Sequence, residues 1–501
     1  MLKIIDIKVT DIRVPTSDTL LGSDPFHKKP NYACVYTTIK LDNNIEGNSI
    51  CFTSGAGNDW IAYGVKDIAK LLEGYDFSEF MNNPGLVYKL INDHHQLRWL
   101  ADGVNRMALG SIINALWDAW AKVEKKPMWK LLVDMPPQTI VDAIDWRYME
   151  DALTQDEALQ ILNEKLDEHH DLEIAIKKKG PKAYSTAGWL GLTDTEISET
   201  IKDMQDQGFD CFKMKVGQNL NHDKERLSFI RSIIGYESKL MVDCNQVWGV
   251  DEAIEYMTEL KDFKPIWIEE PTARDDVQGH IKISNALKKF DIKVASGEQV
   301  PSPVVFKQLL QSGAIGYCQI DASRLGGVND VLAIILLAKK FKIPVCPHGG
   351  GIGLCNMIVH YAIWDQIKVS SHSKNQVVEY LEFLQEGVFI HPIEVRDGCY
   401  LTPESFGWGL EMHQEFFNSH IYPTGKIYDN NNKKEIKKDL DIKNIYGENG
   451  FKKIFNISDS KKFTVSYKND KKLILKDKLE KYSPKINKIV DYIKNSDGIV
   501  L

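Results

Sequence analysis

The chain has 501 residues, more than one compact core usually holds, so at least two domains are expected. A net charge of −8, with 26% charged and 43% hydrophobic residues, is ordinary for a globular protein and argues against nucleic acid as a partner. No apolar stretch is long enough to span a bilayer, the N-terminus lacks the apolar core of a signal peptide, and the eight cysteines are scattered with no CxxC pair, which points to a reducing cytoplasm and no membrane partner.

Residues 1–50 read as strands, IIDIKVTDIRV and YACVYTTIKL, joined by an irregular loop rich in Pro, Gly, Ser and Asp. From about Trp60 to Met135 the apolar spacing is helical, with a break at Pro127. Strands followed by several helices predict a compact α+β domain over residues 1–150. Residues 151–380 then alternate short β-branched runs with helical stretches. The eight strand candidates are KAYSTAG, FKMKV, KLMVD, IWIEE, IKVASGE, YCQID, PVCPH and VVEY. Eight such units predict an α/β fold of the (β/α)8-barrel type. Residues 381–425 are aromatic and irregular and are expected to return onto the N-terminal domain. Residues 426–501 carry 19 lysines, no arginine and 11 acids. That composition predicts a small lysine-rich accessory extension. FTVSYKNDKKLILK reads as a hairpin about Asn469-Asp470 and PKINKIVDYIKN as a short helix.

Acids and bases close these strand candidates in series. A barrel gathers the C-terminal ends of its strands around one pocket, so residues distant in sequence are expected to meet there. Asp243, Glu269 and Glu298 end three successive candidates. Three carboxylates suit a hard divalent cation, and Mg2+ fits because it takes few protein oxygens and keeps positions for substrate and water. Taken singly, each acid could merely cap the following helix. Glu270 should point away from Glu269 as a supporting acid, while Asn245 shares a face with Asp243 and supports the metal site and substrate. Lys213 and Lys215 share the interior face of one strand, so their mutual repulsion is expected to lower one pKa and create a general base. Asp321 and His348 end neighbouring candidates, and the carboxylate would fix the tautomer of the imidazole. Glu379, in VVEY, would either donate a hydrogen bond to an oxyanion when protonated or cap the barrel. Cys34, Cys211, Cys244, Cys318 and Cys346 lie in apolar runs and read as buried free thiols.

These motifs, CFKMKVG, VDCNQVW, WIEEPT, SGEQ, CQIDASRLGGVN, IPVCPHGGGIGLCN and VVEYLEFL, resemble the enolase superfamily, mandelate racemase subgroup. LRWLADG, NALWDAWAKVEKKPMWKLLVDM and DWRYMEDALT narrow the resemblance to L-fuconate dehydratases over residues 1–425. The resemblance implies a Mg2+-dependent hydro-lyase acting on a small sugar acid, L-fuconate or a related aldonate, in a homo-oligomer. It implies that the α+β domain caps the barrel. It also implies Asp243, Glu269 and Glu298 as metal ligands and Lys215, partnered by Lys213, as the base at C2. His348, oriented by Asp321, would be the acid at the C3 hydroxyl, with Glu379 near the substrate carboxylate. The loop at Gly22-Ser23-Asp24 would close over substrate, bringing Ser23 and Asp24 to it. Two segments depart from the dehydratase pattern near the expected pocket: Val300-Pro301-Ser302-Pro303 after SGEQ, and Ala56 between Gly55 and Gly57. The alternatives are a racemase or epimerase using Lys215 and His348 as opposed bases, a dehydratase of another aldonate, and a barrel that has lost turnover and only binds.

Overall fold

A computed structural model describes residues 2–428, save Ala101, Lys165, 371–374 and Glu386, together with the short pieces 465–468 and 472–475. The strand-like N-terminus forms β1 (Ile4–Val14), β2 (Tyr32–Leu41) and β3 (Glu46–Thr53) of an antiparallel sheet in the order β1-β2-β3. Central β2 is largely buried on both faces: on one, Thr37 Oγ1 lies 2.9 Å from Ser111 Oγ of the helix Val104–Val123, and on the other, Tyr36 packs edge-on against Phe417 of the 381–425 segment. That helix is fixed by polar contacts that the sheet cannot satisfy itself. Ser49 Oγ donates to the Ser111 carbonyl at 2.6 Å, and Asn48 N donates to Asp118 Oδ2 at 2.7 Å.

Gly110 sets how closely this helix approaches the barrel. A Cβ there would lie 2.0 Å from the carbonyl oxygen of Leu325. Alanine ordinarily favours a helix over glycine by about 1 kcal/mol. Here backbone blocks it, and overpacking costs about 1–3 kcal/mol. Gly110→Ala is therefore expected to lower stability despite its better helix propensity, which a urea melt would check.

The parallel strands are β4 (Ala183–Gly188), β5 (Cys211–Lys215), β6 (Lys239–Asp243), β7 (Trp267–Glu269), β8 (Lys293–Ser296), β9 (Tyr317–Cys318) and β10 (Val378–Glu379), in the order β10-β4-β5-β6-β7-β8-β9. The candidate PVCPH is not a regular strand, because Pro344 and Pro347 have no N–H to give to a ladder. Between them Cys346 N donates to the Cys318 carbonyl at 2.8 Å, and His348 N donates to that of Ile320 at 3.0 Å. On the other side Glu379 N donates to the Pro347 carbonyl at 3.4 Å. This segment thus bridges β9 to β10 and closes the ring.

The barrel interior is layered. Tyr184, Cys211, Met241, Trp267, Ala295, Cys346 and Val377 form a buried apolar cluster separate from the main core. Two residues further along, Lys213, Asp243, Glu269, His348 and Glu379 form a charged layer, with Thr186 at that level on β4 and Gly297 after β8. In the 381–425 segment, Trp408 N donates to Asp118 Oδ1 at 2.6 Å and Tyr36 OH to the Leu410 carbonyl at 3.0 Å. All eight cysteines are free and buried. No helix among the described residues is long and apolar enough to cross a membrane. A second compact unit begins at Ile427. Within it Val465–Lys468 and Lys472–Leu475 pair antiparallel as a hairpin, while the helix expected at PKINKIVDYIKN lies outside the described residues.

Candidate active site

Register brings the charged residues together. Lys215 pairs with Asp243 across β5 and β6, and Asp243 pairs with Glu269 across β6 and β7. All three stand in one row, and Lys213 lies two residues below Lys215 on the same face. Glu298 joins from the turn after β8. Gly297 makes that turn possible: its φ is +145°, and a Cβ would meet the Gln319 carbonyl oxygen at 2.5 Å.

The carboxylates of Asp243, Glu269 and Glu298 each offer an oxygen within 4.8 Å of the others, and all three residues are buried. The Glu269 carboxylate is fixed on several sides. Lys213 Nζ lies 2.7 Å from Oε1, while Gln319 Nε2 at 2.7 Å and Trp267 Nε1 at 3.2 Å donate to Oε2. Burial and the Asp243 charge push its carboxyl up to about 7, against the pull of Lys213. Acids crowded in this way, all offering hard oxygens, fit a small divalent cation. Glu270, next along, is buried and accepts from Gln246 Nε2 at 2.9 Å. Its other oxygen has no partner among the described residues.

The two lysines behave differently from the expectation of mutual repulsion. Lys213 Nζ sits 2.7 Å from Glu269 and 2.8 Å from Glu379. Lys215 Nζ sits 2.5 Å from Asp243 Oδ2 and 2.9 Å from Asn245 Oδ1, which binds Asn245 directly to this lysine. Burial disfavours both ammonium groups, yet the carboxylates outweigh it and hold both pKa values above the usual lysine range. The pattern along one strand shows the lysine pair, but the acids that outweigh their repulsion come from other strands.

His348 Nδ1 lies 2.8 Å from Asp321 Oδ2. Asp321 is held in turn, since Ser323 N at 2.7 Å and Ser323 Oγ at 2.8 Å donate to its Oδ1. His348 Nε2 faces Glu298 Oε2 at 3.6 Å and Glu379 Oε2 at 3.9 Å. Burial opposes the imidazolium, but Glu298 and Asp321 raise its pKa to about 9. Glu379 is the reverse of a neutral donor. Lys213 and His348 overcome its burial and hold it at about 2, and it accepts from Gly349 N at 2.9 Å and Thr186 Oγ1 at 3.1 Å. The expectation of a protonated Glu379 is therefore corrected to a carboxylate anchored by a lysine.

A cavity of about 320 Å³ lies over this rim between the barrel and the N-terminal sheet. Lys213, Lys215, Asn245, Glu298, His348, Glu379 and Asp24 line it. Asp24 Oδ1 accepts from Phe26 N at 2.7 Å and His27 N at 2.6 Å, which fixes the first loop. Ser23 does not line the cavity. Its hydroxyl accepts from Gly191 N at 2.8 Å and ties that loop to the turn after β4, so its expected contact with substrate is corrected to a structural one. Of the two departures, Ala56 lines the cavity, whereas Val300 to Pro303 do not, and Val300 is buried. Trp189, Arg324 and His27 line it too and went unremarked in the sequence, because each lies in a loop whose direction only the fold reveals.

The family model "Enolase C-terminal domain-like" matches residues 196–416. "Mitochondrial enolase superfamily member 1" of Bos taurus is 41% identical over 427 residues, covering 84% of this chain and 96% of that protein. The chain belongs to the enolase superfamily. The crystal structure of the human member of that name superimposes with a TM-score of 0.83 at 41% identity, over 85% of this chain and 98% of that one. Another superfamily relative, the L-galactonate dehydratase of Hypocrea jecorina, is 40% identical over 422 residues, covering 83% of this chain and 93% of that protein. The L-talarate/galactarate dehydratase of Salmonella typhimurium LT2, solved with Mg and L-lyxarohydroxamate, shares the fold with a TM-score of 0.64 at 24% identity, over 83% of this chain and 92% of that one.

Proposed function

We propose that this chain is a Mg2+-dependent acid-sugar dehydratase, a hydro-lyase that removes the C2 proton and the C3 hydroxyl of L-fuconate or a related aldonate. The observation that carries the reading is the meeting of three carboxylates within 4.8 Å with Lys215 and His348 lining the same cavity. Asp243, Glu269 and Glu298 would hold the ion. Bound there, Mg2+ would grip the substrate carboxylate and offset the negative charge that builds on it as the C2 proton leaves. A divalent ion on Asp243 would offset the carboxylate charge that holds the Lys215 ammonium. As the neutral amine, Lys215 then takes the C2 proton, with Asn245 beside it at 2.9 Å. His348, oriented by Asp321, gives its proton to the C3 hydroxyl, which departs as water. The resulting enol then tautomerises to a 2-keto-3-deoxy acid. Lys213 and Glu379 form a fixed ion pair beneath the reacting carbons. The resemblance implies a cytoplasmic homo-oligomer.

L-Galactonate and L-fuconate share their configuration and differ only in the C6 hydroxyl, so the relative's name supports the same stereochemical series. Purified protein incubated with Mg2+ and a panel of aldonates, these two included, is expected to yield a 2-keto-3-deoxy acid from at least one. No such product from any member would overturn the reading. Solvent deuterium at C2 with inverted configuration and no water loss would favour the racemase alternative.

A further inference from the structure

The cavity holds a cation that the proton transfers do not use. Arg324 lines it beside Phe52, Ile61, Val104 and Met107. Two other guanidinium groups, part-buried Arg106 and buried Arg226, are well satisfied. Arg106 meets Asp102 at 2.7 Å and Asp330 at 3.0 Å, and Arg226 donates to the carbonyls of Lys215 at 2.8 Å and Gly188 at 3.1 Å. Arg324 is not. Its Nη1 faces the Met107 thioether at 3.9 Å, a weak acceptor. Its Nε is shielded from solvent and has no hydrogen-bond partner among the described residues. The Phe52 ring centroid lies 5.8 Å from the guanidinium carbon. Arg324 is part-buried, and its Nε gives up hydration without recovering it from the protein, so an acceptor is expected on a ligand.

Position along the chain indicates which part of the ligand. Arg324 N donates at 3.1 Å to Asp321 Oδ1, and the other oxygen of that carboxylate meets His348. The side chain of Arg324 thus begins one short turn beyond Asp321, the carboxylate that orients the acid assigned to the C3 hydroxyl, and ends against Phe52 of β3. We propose that Arg324 determines specificity for the distal chain of the acid sugar, donating hydrogen bonds to hydroxyls beyond C3. The proposal rests on the dehydratase reading. The apolar side chains around it lower the local dielectric, which strengthens those bonds, and buried Phe52 and Ile61, with Val104, form a wall suited to an apolar terminal carbon.

The test uses Arg324→Met and Arg324→Lys in the full chain with Mg2+, on aldonates shortened from six carbons to three, with one configuration at C2 throughout and one at C3 in the members of four or more carbons. For the six-carbon substrate, Arg324→Met is expected to lower kcat/KM about 100-fold, the effect of losing a charged donor to an uncharged acceptor. The loss should shrink to within about threefold once the partner hydroxyl is gone, with the pH profile unchanged. Arg324→Lys should recover part of it on the long substrate, and it carries the test alone if the methionine variant does not fold. An equal loss at every chain length would overturn the proposal, because Arg324 would then act through Asp321 and His348. No loss at any length would also overturn it. A larger loss on a six-carbon diacid than on the aldonate would overturn the hydroxyl assignment. If the unaltered protein dehydrates no aldonate, the functional reading fails and takes this proposal with it, a result distinct from normal turnover with an indifferent Arg324.

Discussion

Lys215→Met is expected to lower kcat about 10³-fold on the best aldonate, the central value for loss of a positioned general base. Methionine keeps much of the length and volume of the side chain, so the packing over Trp189, where Nζ lies 5.4 Å from the ring centroid, is largely kept. The substitution removes one cation from a buried cluster. Asp243 still has Lys213 at 3.6 Å and, in the proposed enzyme, the metal ion. The fold should therefore survive, and KM should change far less than kcat, because the proton is transferred only in the transition state. His348→Asn should also stop product formation, but by a different route, since it removes the acid at C3 and leaves the base at C2. Steady-state kinetics would check both variants. A Lys215→Met enzyme with kcat within about tenfold of the parent would remove Lys215 from the role of base.

The second large effect is metal removal. Chelation is expected to abolish turnover, and Mg2+ to restore it. The ion would also act as a stability ligand: the melting temperature should rise with the logarithm of its concentration above the dissociation constant, the added stability reaching about 2.7 kcal/mol at a hundred times that constant. That readout does not depend on activity. Gln319 sharpens the prediction. Its Nε2 donates at 2.7 Å to the Glu269 oxygen that does not face Lys213. Gln319→Leu leaves all three carboxylates in place yet loosens one of them. It should raise the Mg2+ concentration needed for half-maximal activity about 10- to 100-fold, the usual effect of losing a partner that orients a ligand. An unchanged Mg2+ requirement in Gln319→Leu would show that Gln319 does not orient Glu269 for the ion, the Trp267 and Lys213 contacts being sufficient.

The sequence carried the barrel because each acid or base closes a short apolar run, and period-two alternation fixes which side chains face inward. Lys213 and Lys215 could be placed on one face, and Asp321 beside His348, from spacing alone. Strand alternation could not supply what other strands contribute. The lysines keep their protons because Asp243, Glu269 and Glu379 face them, and Glu379 stays ionised because Lys213 does. The seventh barrel segment departs from regular pairing because of its two prolines, which were visible in the sequence but were read as part of an ordinary strand. Arg324 and Trp189 gave no periodic signal. Each matters only where a loop of the barrel meets the N-terminal sheet, and Ser23 turned out to serve that junction and not the cavity.

The most direct measurement of the central claim, that one amine and one imidazole serve adjacent carbons of a single bound aldonate, is hydrogen exchange at C2 in deuterated water. In His348→Asn with Mg2+, unreacted aldonate should acquire deuterium at C2 with retained configuration and form no keto acid, while Lys215→Met should show neither exchange nor product. Exchange that persists in Lys215→Met and vanishes in His348→Asn would contradict the assignment.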